Sequence, residues 1–206
     1  MSYPTLDFEI ELLEKYPAII AIDEVGRGSL AGPVAVGAFV LTKQQLENQP
    51  EGLQDSKLIK ESRRQEMAER AKAWGESFVG FVGPDEIDSK GILKALQIAG
   101  NSCIEQLAIP EAVVLLDGNQ NWLGHKNVIT RVKADRDCAS VSAASVIAKF
   151  SRDSLMIELH QEYPQYDLAS NKGYSSASHI SALKEHGPSA IHRKTWLSKI
   201  LSEELF

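Results

Sequence analysis

Asp23 and Glu24 stand side by side at the end of an apolar run, residues 18 to 22, and lead straight into a glycine-rich turn, "AIDEVGRGSLAGP" at 21 to 33. Two more apolar runs end in acids, one reaching Asp117 through "LLDGN" and one reaching Asp135 through "KAD". A single aspartate after a strand means little, because aspartate is common in turns. Four acids after three separate apolar runs suit a different chemistry. Brought together, they would repel one another unless a cation neutralised them. Oxygen donors without histidine or cysteine suit a hard cation, Mg2+ or Mn2+. Such a cluster can hold two ions that clamp the attacking and leaving oxygens in phosphodiester hydrolysis. The turn belongs to the same reading. Gly26-Arg27-Gly28 with Gly32 is spaced G-x-G-x-x-x-G, Pro33 stands where a helix would begin, and the acids would face a pyrophosphate. These features argue against a dinucleotide site and for a backbone nest that approaches a polynucleotide strand.

The acids can meet only if the runs that carry them are neighbouring strands. Residues 18–22 read as a buried strand and 34–41 as a second, with Pro33 preventing a helix from leaving the turn. A helix over about 60–74 precedes a third strand at 77–82. The spacing of Ile92, Leu96, Ala99, Cys103 and Leu107 predicts a helix over 91–107, stopping before Pro110. Strands follow at 112–116 and 128–132. From Cys138 a long helix begins whose first half is rich in small residues, a face that can lie close to a sheet. Helices near 178–186 and 195–205 close the chain. The order implies an α/β layer with a mixed sheet. With no repeat and no linker, residues 1–206 read as one domain.

Hydrophobic residues at 43% and charged residues at 24% are ordinary for a globular protein, and no apolar run approaches a membrane span. The acidic start "MSYPTLDFEIELLEKYP" lacks a secretory pattern, and two cysteines are too few for a disulfide framework. The expected location is the cytoplasm, away from membranes. The net charge of −6 argues against a broadly basic nucleic-acid binder. Two tracks run against that average. Residues 126–152 hold six basic and two acidic side chains, and 169–199 carry Lys172, Lys184, Arg193, Lys194 and Lys199 against Glu185 alone.

Taken together, "IDEVGRGSLAGPV", "DSK" at 55–57, "LLDGN" at 115–119, "KAD" with "SAASVIAK" at 142–149, and "NKGYSSASHISALKEHGPSAIHRKTW" resemble type 2 ribonuclease H, ribonuclease HII. The resemblance runs from about residue 18 to 197, in order. It implies a ribonuclease H-like fold, a mixed five-stranded sheet flanked by helices, with a catalytic core of about 17–163 and a helical, substrate-binding C-terminal extension of about 164–206. The activity it implies is metal-dependent endonucleolytic cleavage of RNA in RNA–DNA hybrids, and incision 5′ to single ribonucleotides in duplex DNA, by a chain acting as a monomer. By position, Asp23, Glu24 and Asp117 match the metal-binding acids and Asp135 the fourth carboxylate. Gly26, Arg27 and Gly28 match the turn around the ribose 2′-hydroxyl, Tyr174 the tyrosine beside the junction sugar, and Lys57 a phosphate contact. Lys172 and Arg193, on the basic track, complete the expected nucleic-acid contacts. The chain departs from the commonest pattern at Ser29, Ala134, Asn171 and Ser175, none of which removes a carboxylate.

Two rivals are set aside on particular residues. Type 3 relatives carry an added N-terminal domain, for which residues 1–17 are too few. A binding module that had lost the chemistry could dispense with the acids, yet all four are present. Several other residues read as structural: His125 as solvent-exposed, Trp196 as an anchor for the last helix, and Cys138 as a small buried hydrophobe. His179, His186 and His192 fit either phosphate contact or packing.

Overall fold

The run from Ile19 to Ile22 offers water no polar side chain, and the strand it forms lies in the middle of the sheet. In the computed structural model, which describes residues 3 to 202, helix α1 (Asp7–Leu13) leads into β1 (Ile19–Val25) and then β2 (Val34–Leu41). Next come α2 (Glu61–Trp74), β3 (Ser77–Val82), α3 (Pro84–Lys90) and α4 (Ile92–Leu107). Strand β4 (Val113–Asp117) and β5 (Val128–Arg131) precede α5 (Ala134–Asp137) and the long α6 (Ala139–Glu162). Short α7 (Leu168–Asn171), α8 (Ala177–His186) and α9 (Ser198–Ser202) follow. The sheet is mixed, in the order β3-β2-β1-β4-β5: β1 runs antiparallel to β2 and parallel to β4, and β4 runs parallel to β5.

Side chains alternate across this sheet with period two, as a pleated strand requires. Ile19, Ala21, Phe39, Leu41, Val113 and Leu115 pack with α2 and α6 on one face. Ile20, Ile22, Val36, Ala38, Val114 and Leu116 pack with α4 on the other. The small residues of α6 let it approach closely: a Cβ at Gly37 would overlap Ala144 O and lie 2.8 Å from Ala148 Cβ. A third apolar cluster joins Leu30 and Ala31 of the glycine turn, Met156 of α6, and Tyr166, Leu168, Leu183, Ile191 and Leu197. The C-terminal elements therefore pack onto the turn itself.

The expected strands and long helices fall where their patterns place them, with three differences. The fifth strand stops at Arg131, leaving Val132 exposed, because β5 is an edge strand that is only half-buried. Helices α1, α3, α5 and α7 are additional; the first two have seven residues and the others four, and α3 starts on Pro84 at its first turn. The expected helix over 195–205 is instead a 3-10 turn, Lys194–Trp196, followed by α9, and its end lies outside the described residues. Among the described residues no helix is long and apolar enough to cross a membrane.

Candidate active site

Register brings the first two acids together. Ile22 pairs with Leu116 across parallel β1 and β4, so one step further Asp23 and Asp117 are neighbours. Both continue the α6-facing rows, Ile19-Ala21-Asp23 and Val113-Leu115-Asp117. The C-terminal ends of adjacent parallel strands are where α/β sheets bind ligands. Asp135, at the start of α5, closes the group: its backbone N–H donates to Asp117 Oδ1 at 3.3 Å. Glu24 is tethered through its own N–H to Asp23 Oδ1 at 2.9 Å.

The acids feel one another. Asp23 is buried, and burial, then the charge of Glu24, raise its pKa well above the usual carboxylate value; Ser145 opposes them, and Asp117 and Asp135 add to the rise. Burial raises Glu24, with Arg27 opposing from 3.5 Å and Asp117 adding to the rise. Asp135 is raised by burial and by Asp117 and Asp55, while Lys57 opposes. The Lys57 ammonium stands 3.2 Å from Asp135 Oδ2 and 3.7 Å from Asp55 Oδ1. Burial disfavours its charge, yet Asp55, Asp23 and Asp135 outweigh that and hold its pKa above the ordinary lysine value. Among the described residues no three acids, histidines or cysteines are already drawn into a finished cage. Like charges without a shared cation are expected to stand apart. Oxygen-only donors, with Asp23, Glu24 and Asp135 disfavoured as anions by burial and by neighbouring acids, fit a hard divalent cation, which would relieve both costs.

The glycine turn, 26–33, joins β1 to β2 and is held from behind. Gly26 has φ +80°, and a Cβ there would overlap Arg152 Nε. Gly28 is different, because a Cβ there would meet nothing within 4 Å. Arg152 Nε donates to Pro33 O at 2.8 Å, Nη1 to Lys172 O at 2.9 Å, and Nη2 to Ser29 Oγ at 2.7 Å. Arg193 donates through Nη2 to Gly26 O at 2.7 Å and through Nη1 to Arg27 O at 2.9 Å. Leu30 N–H meets Gly173 O at 2.8 Å, which brings the following residue, Tyr174, beside the turn. The Tyr174 ring is half-buried, with the Arg152 guanidinium 5.4 Å and the Lys149 ammonium 5.8 Å from its centroid.

Two residues expected to contact nucleic acid are buried. Arg193 has no exposed surface, because every hydrogen bond found for its guanidinium goes to a carbonyl of the turn. Lys172 is buried, its ammonium paired with Glu61 Oε1 at 2.8 Å and bonded to Ala169 O. Arg27 and Lys57, by contrast, present exposed side chains. From sequence Asp55 appears only within "DSK", and neither it nor Arg152 is given a role. "SRD" inside a long helix carries no mark of burial, and the Asp55 carboxylate is buried beside Lys57. Ser29, one of the departures from the commonest pattern, takes Arg152 on its hydroxyl. Asn171 takes Gly173 N–H at 2.8 Å and donates to Tyr166 O at 2.7 Å, so it shapes the Tyr174 loop. His125 is exposed, beside Asn101, and burial pushes the Cys138 thiol up to about 12.

A sheet in this order, with acids at and beyond the ends of its parallel strands, is the architecture of the ribonuclease H type. The family model for ribonuclease HII matches residues 20–199. The chain belongs to the ribonuclease HII family. It is similar to the ribonuclease HII of Streptomyces avermitilis, 43% identical over 180 residues, covering 86% of this chain and 76% of that protein. Its structure superposes on ribonuclease H2 from Pyrococcus horikoshii with TM-score 0.72 at 26% identity, over 89% of this chain and 97% of that one. Bst-RNase HIII in complex with Mn2+ shares the fold, with TM-score 0.69 at 19% identity over 85% of this chain and 65% of that one. The protein is thus a ribonuclease H that cleaves RNA in RNA–DNA hybrids and at embedded ribonucleotides, in a family that depends on metal.

Proposed function

We propose that Asp23, Glu24, Asp117 and Asp135 hold two divalent cations, Mg2+ or Mn2+. With them the chain hydrolyses the phosphodiester 5′ to a ribonucleotide in duplex DNA, leaving 3′-hydroxyl and 5′-phosphate ends. The observation that carries this reading is the alignment of Asp23 and Asp117 on one face of neighbouring parallel strands, with Asp135 tied to Asp117. When bound, the cations supply activation of the attacking water and stabilise charge on the departing oxygen. The remaining work belongs to the chain. Lys57, exposed and held at the edge of the acids, meets a phosphate as its pairing with Asp135 is exchanged. The ribose 2′-hydroxyl is the one chemical handle that tells an embedded ribonucleotide from its neighbours. The amides of Gly26 to Gly28 read it, and the open side of Gly28 leaves room for the sugar. The Tyr174 ring packs against the adjoining deoxyribose and favours an RNA-to-DNA step at the cut. Arg193 and Lys172 serve the same interface from behind, one through the turn and one beside Glu61.

The C-terminal elements from about residue 164 act as the substrate-binding extension, supported by their apolar cluster with the turn. A substrate of this kind implies a cytoplasmic enzyme, and the reading takes it as a monomer. Cleavage of a labelled hybrid in excess chelator, followed by return of Mg2+ or Mn2+, tests the metal reading. The expected result is no product until metal is restored; robust cutting in chelator overturns it.

A further inference from the structure

Two buried histidines of the C-terminal segment have no part in the chemistry above, yet their hydrogen bonds run in one direction. Tyr174 O can only accept, so the contact of 2.9 Å from His179 Nδ1 fixes the proton on that nitrogen and leaves Nε2 as an acceptor. Ser189 N–H donates to His192 Nδ1 at 3.1 Å, which makes Nδ1 the acceptor and puts the His192 proton on Nε2. The two Nε2 atoms are 3.1 Å apart, so His192 donates to His179. Neither histidine has exposed surface, and the Tyr166 ring closes over His192 edge-on at 4.5 Å between centroids. Burial lowers the pKa of both rings, His192 to about 4 with His179 beside it, which accords with the neutral tautomers that the hydrogen bonds require.

The ends of this chain of bonds lie on the two parts of the site that face the sugar. His192 pairs with Ala31 in an antiparallel bridge, and Arg193 N–H donates to Leu30 O at 2.9 Å, so residues 192 and 193 move with the glycine turn. At the other end the peptide planes flanking Tyr174 are fixed separately. The plane before it is held by Gly173 O, which accepts from Leu30 and Ala31 of the turn. The plane after it is held by Tyr174 O, which accepts from His179 and Ser176. With both rigid planes set, the φ and ψ of Tyr174 are set, and with them the direction in which its Cα–Cβ bond leaves the backbone.

We propose that the His179–His192 hydrogen bond is a strut that fixes the Tyr174 ring relative to the glycine turn, making the two histidines positioning residues for recognition of an RNA-to-DNA step. This rests on the reading that the turn and Tyr174 recognise the sugar. The readout is the ratio of kcat/KM on duplex DNA with one ribonucleotide to kcat/KM on a long RNA–DNA hybrid, measured beside thermal unfolding. His192→Asn shortens the side chain and removes the donor at the Nε2 position; His192→Gln restores an amide N–H near it. The ratio is expected to fall about tenfold in His192→Asn and to stay within about threefold in His192→Gln. An unchanged ratio in a folded His192→Asn overturns the strut, as do equal losses on both substrates that follow only the thermal midpoint. Nitrogen NMR of the wild-type imidazoles tests it without a variant: the expected tautomers carry protons on His179 Nδ1 and His192 Nε2, and the opposite pair overturns it. Tyr174→Ala separates the two readings. If it leaves the ratio unchanged, the sugar reading fails and the strut with it; if it lowers the ratio while His192→Asn does not, only the strut fails.

Discussion

At the scale of single residues, the proposed metal site would set stability against function at Asp23. Its carboxylate is buried among like charges, so its pKa in the folded chain is raised above the unfolded value. The folded state therefore binds that proton more readily than the unfolded state, and ionised Asp23 at neutral pH favours unfolding. Asp23→Asn should stabilise the protein by about 1–2 kcal/mol at neutral pH without metal. The same change should lower cleavage by about a thousandfold or more, roughly 4 kcal/mol of transition-state stabilisation. The stability gain should shrink as pH falls through the raised pKa, because the wild-type carboxyl then becomes neutral in the folded state. Chemical denaturation of both proteins across that range checks the sign: a gain that grows toward acid pH contradicts the charge-cluster account. The four acids stood out in the sequence because they follow apolar runs, although Asp135 sits on α5 beyond the end of β5. Their order of burial was not legible, since it depends on which face of the sheet α6 covers.

At the scale of elements, the proposed role of the glycine turn divides its residues into those the fold needs and those the substrate would need. Gly26 requires a positive φ and lies against Arg152, so Gly26→Ala should destabilise the protein by about 1–3 kcal/mol. Gly28 has open space where a Cβ would stand, so Gly28→Ala should change stability by less than about 0.5 kcal/mol. If the sugar approaches that open side, Gly28→Ala should still cut incision at a single ribonucleotide by about tenfold or more. Thermal melts with incision rates check both; full activity in Gly28→Ala removes that residue from the interface. Strands β1, β2 and β4 were legible because they are continuous apolar runs, and α4 and α6 because they are long enough for a helical pattern to show. Helices α1 and α3 are too short for their periodicity to stand out. The burial of Arg152 and Arg193 was not legible, because burial of a guanidinium is set by carbonyls brought from distant segments, here the glycine turn and Lys172.

At the scale of the molecule, an acidic protein must hold a polyanion along local cationic surface. Lys57 is the sharpest probe of that surface, because its side chain is 68% exposed and already stands at the acids. Lys57→Ala should reduce the slope of log K against log salt by roughly 0.9 and weaken binding to all duplexes alike. Equal slopes and affinities in filter-binding or anisotropy titrations would take Lys57 off the phosphate contacts. The basic tracks were visible in the sequence, but not which cations stay outside; Lys172 and Arg193 are turned inward by Glu61 and by the turn. The central claim is that four carboxylates and a sugar-reading turn make one site that cuts beside a lone ribonucleotide. Its most direct test is a DNA duplex with one internal ribonucleotide, labelled at each end in turn and incubated with the full chain and Mg2+ or Mn2+. The account predicts a single metal-dependent incision on the 5′ side of that ribonucleotide, with 3′-hydroxyl and 5′-phosphate ends. A duplex that is bound but never cut, or cut elsewhere or without metal, would contradict it.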